Sequence, residues 1–346
     1  MRLVEPATTV SDLTEAELIA RIADPLPPAP AWMVVGIGDD AAVVEPARNR
    51  LEVLSVDALV EGVHFDRAFT PAFAIGHRAL AVNLSDLAAM GATPRLALLS
   101  LALPPALPLA DFDTMIEGFT ALAIKHRVTL AGGNLTRITG PLVVDVTVVG
   151  TVKRRRVLTR SGARPGDELY VTGSIGAAAA GLQMLKAGAA GPPPAVRGEN
   201  GGPAGNCVNR YLYPEPRIKM GSLLGQNRAA TACMDLSDGL ADAVHQVALA
   251  SGVGARIDAR ALPVEPEARK WFEERGLDAV HEAITAGDDY ELLIAVGPRT
   301  RNRLAAARRH GDAQLTLVGC CTADRAVVLR DDAADRPLPR GYSHFR

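Results

Sequence analysis

The chain has 346 residues, of which 48% are hydrophobic and 22% charged, and a formal charge of −2 at pH 7. This composition is typical of a folded globular protein, and the near-neutral charge excludes a broad electropositive face for nucleic acid or anionic lipid. No apolar run approaches the ~20 residues that a membrane-spanning helix needs. We therefore expect a cytoplasmic protein that acts on small polar ligands, with no nucleic-acid or membrane partner.

The first half of the chain predicts a mixture of helices and strands. A helix begins after Thr14, which has capping-box spacing to Glu17, and a proline-rich stretch follows it. Apolar runs then predict several strands, an alanine-rich helix over residues 72–90 and a second helix over 111–126. A long apolar strand ends near residue 152, where a basic run and a Gly/Pro turn predict a domain boundary.

The second half also contains both strands and helices, but a helix does not follow every strand, which disfavours a doubly wound sheet. The predicted fold class is α+β, with one domain over residues 1–152 and a second over 153–346. A Pro-, Gly- and Asn-rich stretch within residues 188–209 has little to bury. It predicts a mobile surface insertion that forms no part of the functional site.

Carboxylates recur at the ends of apolar strands and on apolar helices, in segments where basic residues are scarce. Each one taken alone is most often a helix cap or a turn former. Together they indicate convergence on divalent cations, because buried carboxylates need partners. Hard oxygen ligands without clustered thiols or imidazoles favour Mg²⁺ over zinc. The residues with this pattern are Asp39, Asp40, Asp57, Asp86, Asp235, Asp238, Asp288 and Asp289.

Other possible phosphate-binding features leave alternatives open. The chain lacks a P-loop and the catalytic motifs of protein kinases. Gly132 and Gly133 follow an apolar run, where they either bring backbone N–H groups close to a phosphate or form a simple turn. The basic run at residues 153–156 is either a solvated edge or a phosphate contact.

Seven segments resemble the thiamine-monophosphate kinase family, which belongs to the superfamily of aminoimidazole ribonucleotide synthetase. In chain order they are GIGDDAAVV, LSVDALVEGVHF, ALAVNLSDLAAMGA, AGGNLTR, LTRSGARPGDELYVTG, MDLSDGL and GDDYELL. The resemblance runs from about residue 11 to the closing GYSHF. It implies a homodimer of two-domain α+β subunits whose N-terminal sheets pair into a barrel across the dimer, with ATP near the domain junction.

The resemblance also implies roles for individual residues. The implied Mg²⁺ ligands are Asp40, Ser55, Asp57, Asp86, Asp235 and Asp238, with Asp39 nearby. The implied ATP contacts are Gly133, Asn134, Arg160 and Ser237. The implied contacts with thiamine monophosphate are His64, Asp288 and Tyr342, although His64 and Tyr342 alone would be read as packing or surface residues.

The implied reaction transfers the γ-phosphoryl group of ATP to the phosphate of thiamine monophosphate, giving thiamine diphosphate and ADP. The acceptor phosphate carries about −1.5 to −2 charges near neutrality, so it needs no general base and no protein nucleophile. Several Mg²⁺ ions would bridge the carboxylates to the phosphates. Asp288 and Tyr342 would suit the cationic thiazolium ring.

Two positions depart from the family pattern. Asn134 follows two glycines where the family has an aspartate, and Val56 stands between Ser55 and Asp57 where the family often has a threonine. Asparagine offers a carbonyl oxygen without charge, and Val56 offers only its backbone carbonyl. Three hypotheses therefore stay open: the kinase, another ATP-dependent enzyme of the superfamily, and a non-catalytic binder of Mg²⁺ and nucleotide.

Overall fold

The computed structural model describes residues 8–188, 206–331 and 334–342. Within these ranges the helices are α1 (Glu15–Ala23), α2 (Ala72–Ala89), α3 (Leu109–His126), α4 (Ala177–Lys186), α5 (Asn206–Leu212), α6 (Ile218–Asn227), α7 (Leu240–Ser251), α8 (Pro266–Glu273), α9 (Ala279–Thr285) and α10 (Ala305–His310). The strands are β1 (Met33–Val35), β2 (Val43–Val44), β3 (Leu51–Val60), β4 (Thr93–Leu103), β5 (Thr129–Arg137), β6 (Val143–Val152), β7 (Glu168–Thr172), β8 (Ala232–Asp235), β9 (Gly254–Asp258), β10 (Leu292–Val296), β11 (Leu315–Thr322), β12 (Val327–Arg330) and β13 (Asp335–Pro337).

A four-stranded sheet in the order β3-β6-β4-β5 organises the first half of the chain. Only its β4–β5 pair is parallel. Side chains alternate between the two faces of a strand, and α2 and α3 bury one face of this sheet in a hydrophobic core. The opposite face leaves Leu54, Val56 and Leu98 exposed, at 67%, 59% and 39% of their full area.

A seven-stranded sheet in the order β13-β12-β9-β11-β7-β10-β8 organises the second half. Its strands are antiparallel except for the β9–β12 pair. A second core lies between this sheet and helices that include α7 and α9. Both sheets are therefore mixed, with helices packed against them, as the α+β prediction expects.

Helix α2 joins the two halves. It contacts β3 and β6 on one side and β8 and α6 on the other. All of its residues are buried except Ala72 and Asp86. The buried ones include Ser85, whose hydroxyl donates to Asp235 in β8 over 2.8 Å. Residues of this helix are thus held against the second half of the chain.

Local predictions agree with these elements except at four places. The capping box of α1 is confirmed, since the Glu17 N–H donates to the Thr14 hydroxyl and the Thr14 N–H to the Glu17 carboxylate. Helix α2 ends one residue early, and α3 begins two residues early, directly after Pro108. Within the described ranges, every helix is too short or too polar to cross a membrane.

The interpretation of the glycine pair of AGGNLTR as a simple turn is wrong. Gly132 and Gly133 lie inside β5, opposite Leu98 and Leu99 of β4. A Cβ atom on Gly133 would stand 1.8 Å from the carbonyl oxygen of Leu99, so close strand packing explains this glycine. The predicted insertion over 188–209 was too long, because residues 206–209 belong to α5, while residues 189–205 lie outside the described ranges.

Candidate active site

Two acidic motifs that lie far apart in the sequence meet side by side. Strands β8 and β10 pair antiparallel, with Asp235 opposite Leu292, so the loops that carry MDLSDGL and GDDYELL are neighbours. The backbone N–H of Asp288 donates to the carbonyl of Ser237 over 2.8 Å. A Cβ atom on Gly287 would stand 2.2 Å from that same carbonyl oxygen, so only glycine fits there.

These loops border a cavity of about 850 Å³ that α2, β3 and α4 also line. The cavity brings together most of the side chains that the sequence analysis selected. The selected residues in its wall are Asp57, His64, Asp86, Arg160, Asp235, Ser237, Asp238, Asp288 and Tyr342. Their convergence from both halves of the chain makes this cavity the candidate active site.

One end of the cavity is acidic. Asp57, Asp86 and Asp235 form no ion pair with any lysine or arginine in the described part of the chain. Their side-chain donors are hydroxyls: Ser55 donates to Asp86 and Ser85 to Asp235. Across residues 8–188, 206–331 and 334–342, no three His, Cys, Asp or Glu side chains are grouped closely enough to hold one metal ion.

The pKa shifts show how costly this uncompensated charge is. Burial, with a further contribution from Asp86, raises the pKa of Asp235 to about 7. Burial also raises the pKa of Asp57 to about 7, and the charges of Asp86, Asp145 and Asp238 add to it. Asp57 still reaches solvent, which screens its charge, whereas Asp235 is only 3% exposed. This end of the cavity therefore favours the binding of cations.

The charge of Asp86 acts on both of these carboxylates. The pKa of Asp86 itself is raised by burial, against the opposing effects of the Ser55 hydroxyl and the Arg160 guanidinium. Arg160 also lowers the pKa of Asp235, but not enough to offset the burial of that carboxyl group. The exposed Arg160 is thus the nearby cation of the acidic end and can contact an anionic ligand in the cavity.

The other end of the cavity carries His64 and Asp288, and Tyr342 lines the cavity as well. His64 Nδ1 accepts the Val60 N–H over 3.1 Å, which leaves Nε2 as the ring nitrogen that carries the proton. The backbone N–H of Tyr342 donates to the Asp238 carbonyl over 3.1 Å. That bond places a half-exposed phenol beside the cavity.

Six selected residues do not line this cavity, and one of them, Asp289, accepts the backbone N–H groups of Gly176 and Ala178 instead. Asp39 and Asp40 lie exposed in the loop between β1 and β2, where the Asp40 N–H donates to the Asp39 carboxylate over 2.8 Å. Gly133 and Asn134 lie on β5, and the Asn134 amide donates to the Thr136 hydroxyl over 3.0 Å. The sixth is Ser55, which reaches the site through its hydrogen bond to Asp86.

Several residues at the site were missed by the sequence analysis. Arg78 and Tyr290 line the cavity, and Asp145 on β6 acts on Asp57. A signal existed for two of them, since Arg78 is a charge inside an apolar helix and Asp145 a charge inside an apolar strand. Tyr290 gave no such signal, because an aromatic beside an apolar strand predicts core packing.

Comparison with known proteins identifies the family. The family described as "AIR synthase related protein, N-terminal domain" matches residues 38–152, and its C-terminal counterpart matches residues 164–332. The thiamine-monophosphate kinase of Escherichia coli K12 is 36% identical over 333 residues, which cover 96% of this chain and 98% of that protein. The two family matches include all the residues that line the cavity except Arg160 and Tyr342.

Solved structures agree with that result. The crystal structure of thiamine-monophosphate kinase from Stenotrophomonas maltophilia K279a has a TM-score of 0.78 and 37% identity, covering 92% of this chain and 96% of that one. The structure of AaThiL complexed with AMPPCP and TMP has a TM-score of 0.73 and 28% identity, covering 99% and 100%. With its two-domain AIR synthase-like fold and near-full-length similarity, the chain belongs to the thiamine-monophosphate kinase family.

Proposed function

We propose that this protein transfers the γ-phosphoryl group of ATP to thiamine monophosphate, giving thiamine diphosphate and ADP. The observation that carries the proposal is the cavity between the two halves of the chain, which has an uncompensated acidic end and another end built around Asp288. Family membership supports it, as does the relative solved with AMPPCP and TMP. Two anionic phosphates could approach each other there only if cations neutralised their charge.

Mg²⁺ is the cation that best fits the acidic end. The atoms at this end that could coordinate a metal ion are carboxylate and hydroxyl oxygens, which are the ligands that Mg²⁺ prefers. Asp57, Asp86, Asp235 and Asp238 would share several ions, since no three described carboxylates are grouped closely enough to hold one, and Ser55 would support Asp86. When bound, Mg²⁺ neutralises charge on the phosphates. Asp39 and Asp40 remain proposed as further ligands; their exposed loop leaves them open to solvent.

The other side chains bind and orient the two substrates. Arg160 is exposed at the cavity and suits a bidentate contact with the ATP phosphates. Ser237, Gly133 and Asn134 remain proposed ATP contacts. His64 and Tyr342 line the cavity as well and remain proposed contacts of thiamine monophosphate, the Tyr342 ring being suited to the thiazolium. No side chain has to remove a proton, because the acceptor phosphate is already ionised.

We also propose a cytoplasmic homodimer in which two N-terminal sheets pair into a barrel. The support is the uncovered face of the β3-β6-β4-β5 sheet, where Leu54, Val56 and Leu98 are exposed together. An apolar sheet face of this kind is typical of a surface that another subunit covers. We also propose that the boundary between the two domains lies between residues 152 and 153.

The direct test is to incubate the purified protein with ATP, Mg²⁺ and thiamine monophosphate and to measure thiamine diphosphate and ADP. We expect equal amounts of both products, no product without Mg²⁺, and none when unphosphorylated thiamine replaces the acceptor. Tight ATP binding without thiamine diphosphate would contradict the kinase and support a nucleotide-binding homologue. That alternative rests on Asn134, which removes one charge from the family pattern.

A further inference from the structure

Arg78 is a cation buried inside α2. Its side chain is 1% exposed, yet it belongs to the cavity wall. Nη1 donates to the Tyr211 carbonyl, Nη2 donates to Asp288 Oδ1 over 3.3 Å, and the guanidinium carbon lies 4.3 Å from the centre of the Tyr211 ring. Nε meets no acceptor among the described residues. A buried arginine is costly unless it is paired, and the carboxylate that pairs with Arg78 is that of Asp288.

Asp288 receives a second hydrogen bond at the same oxygen. The Tyr290 hydroxyl donates to Asp288 Oδ1 over 3.0 Å. Both bonds fall on Oδ1, so Oδ2 is the oxygen available to a ligand. The Asp288 side chain is 33% exposed and lines the cavity, so a bound molecule can reach it.

The backbone around Asp288 is strained. Asp288 and Tyr290 have φ angles of +71° and +49°, in the left-handed region that favours glycine. Hydrogen bonds from their N–H groups to the carbonyls of Ser237 and Leu236, over 2.8 and 3.2 Å, hold this conformation. Strain that the surroundings enforce in this way is concentrated at functional sites.

In this strained segment the adjacent carboxylates of Asp288 and Asp289 have different roles. Asp289, between the two left-handed residues, accepts the N–H groups of Gly176 and Ala178 over 2.7 and 3.3 Å. It therefore caps the start of α4, whereas Asp288 lines the cavity. The same pair of neighbouring residues thus serves a helix end on one side and a ligand site on the other.

Resting on the proposed function, we propose that Arg78 and Tyr290 are positioning residues that hold Oδ1 of Asp288, so that Oδ2 meets the cationic, hydrogen-bond-donating ring system of the acceptor. A carboxylate that is already fixed loses less freedom when the acceptor binds. The two residues therefore act on binding of the acceptor, not on ATP and not on phosphoryl transfer.

The test is steady-state kinetics of Arg78→Met, Arg78→Lys and Tyr290→Phe with both substrates varied. We expect Arg78→Met to raise KM for thiamine monophosphate about 10- to 100-fold and Tyr290→Phe about 3- to 10-fold, with KM for ATP and kcat changed less than about threefold. Arg78→Lys keeps a charged donor and should recover most of the loss. Tyr290→Phe removes one hydroxyl only, so it tests the proposal even if Arg78→Met does not fold.

The matched control is Arg217→Met. Arg217 is another buried arginine, paired with the buried Glu291, but it does not line the cavity. We expect it to lower the thermal midpoint without changing KM for thiamine monophosphate. Unchanged acceptor KM in both Arg78→Met and Tyr290→Phe, or equal rises in KM for both substrates, would overturn the inference. Absence of turnover in the unmodified protein would instead overturn the proposed function.

Discussion

The carboxylates at the two ends of the cavity have opposite surroundings. At the acidic end, burial raises the pKa values of Asp57 and Asp235 to about 7, and neither residue has an ion pair with a described lysine or arginine. At the other end, a buried arginine and a tyrosine hydroxyl both hold Asp288. A carboxylate that the protein leaves unpaired is available to an external cation, whereas a paired carboxylate is a fixed recognition group.

The largest expected effect is that of Asp235→Asn, which removes a charge from the acidic end. We expect activity to fall about a hundredfold or more, because that end loses cation-binding charge. Thermal stability should not fall, since a buried like charge is removed from beside Asp86. The measurements are the rate of thiamine diphosphate formation and the thermal midpoint.

Asp242→Asn is the matched control for that variant. Asp242 is a half-buried carboxyl group on α7 whose pKa is also raised, chiefly by burial, but it does not line the cavity. Activity of this control should stay within about twofold of the unmodified protein. Equal losses in both variants would mean that burial alone, and not position at the acidic end, explains the effect.

The second prediction concerns pH. Between about pH 4 and pH 7 the folded protein keeps protons on Asp57 and Asp235 that the unfolded chain has released, because their pKa values are raised to about 7. Without Mg²⁺, the free energy of unfolding should therefore fall as the pH rises through this window. Mg²⁺ at about 100 times its Kd should add about 2.7 kcal/mol above pH 7, and less at lower pH, where protons compete with it.

Urea unfolding at about pH 5.5 and about pH 8, with and without Mg²⁺, measures this effect. Asp235→Asn should flatten the pH dependence, since one of the two titrating groups is gone. Equal stabilisation by Mg²⁺ at both pH values would show that the acidic carboxylates are not where the ion binds.

A third, smaller effect is expected from Leu54→Glu on the exposed face of the N-terminal sheet. The charge should prevent pairing of two subunits and lower activity about tenfold, because β3 also carries Ser55 and Asp57. Affinity for thiamine monophosphate should change less, since Asp288 lies on the other half of the chain. Light scattering and kinetics measure both quantities. Leu249→Glu, at an 81% exposed leucine on α7, is the control that should stay dimeric.

The smallest effect is expected from Asn134→Asp, which restores the carboxylate of the family pattern. We expect kcat to rise about three- to tenfold at saturating Mg²⁺, because one more charged oxygen strengthens ion binding. Thr136→Ala removes the hydrogen-bond partner of Asn134 without adding charge, so it should give no gain. Unchanged kinetics of Asn134→Asp would remove this residue from the proposed ATP site.

Structural features that depend on a few neighbouring residues were predicted correctly. The capping box of α1 and the extents of α2 and α3 to within two residues are of this kind, because capping and helix periodicity act over one or two turns. The turn interpretation of the glycine pair was wrong because the cause of Gly133 is the neighbouring strand β4, whose Leu99 lies 34 residues earlier in the sequence.

By itself, the sequence determined the family, the acidic residues and the chemistry that such residues serve, since residue types and motif order are properties of the chain. Only the tertiary structure decided which carboxylates have no ion pair and which one is bound by an arginine. Asp86 and Asp288 look alike in sequence, but one lies beside Asp235 across the β8–α2 contact and the other lies beside Arg78. Charge interactions depend on distance in space and on burial, and both arise only when α2 packs against the second sheet.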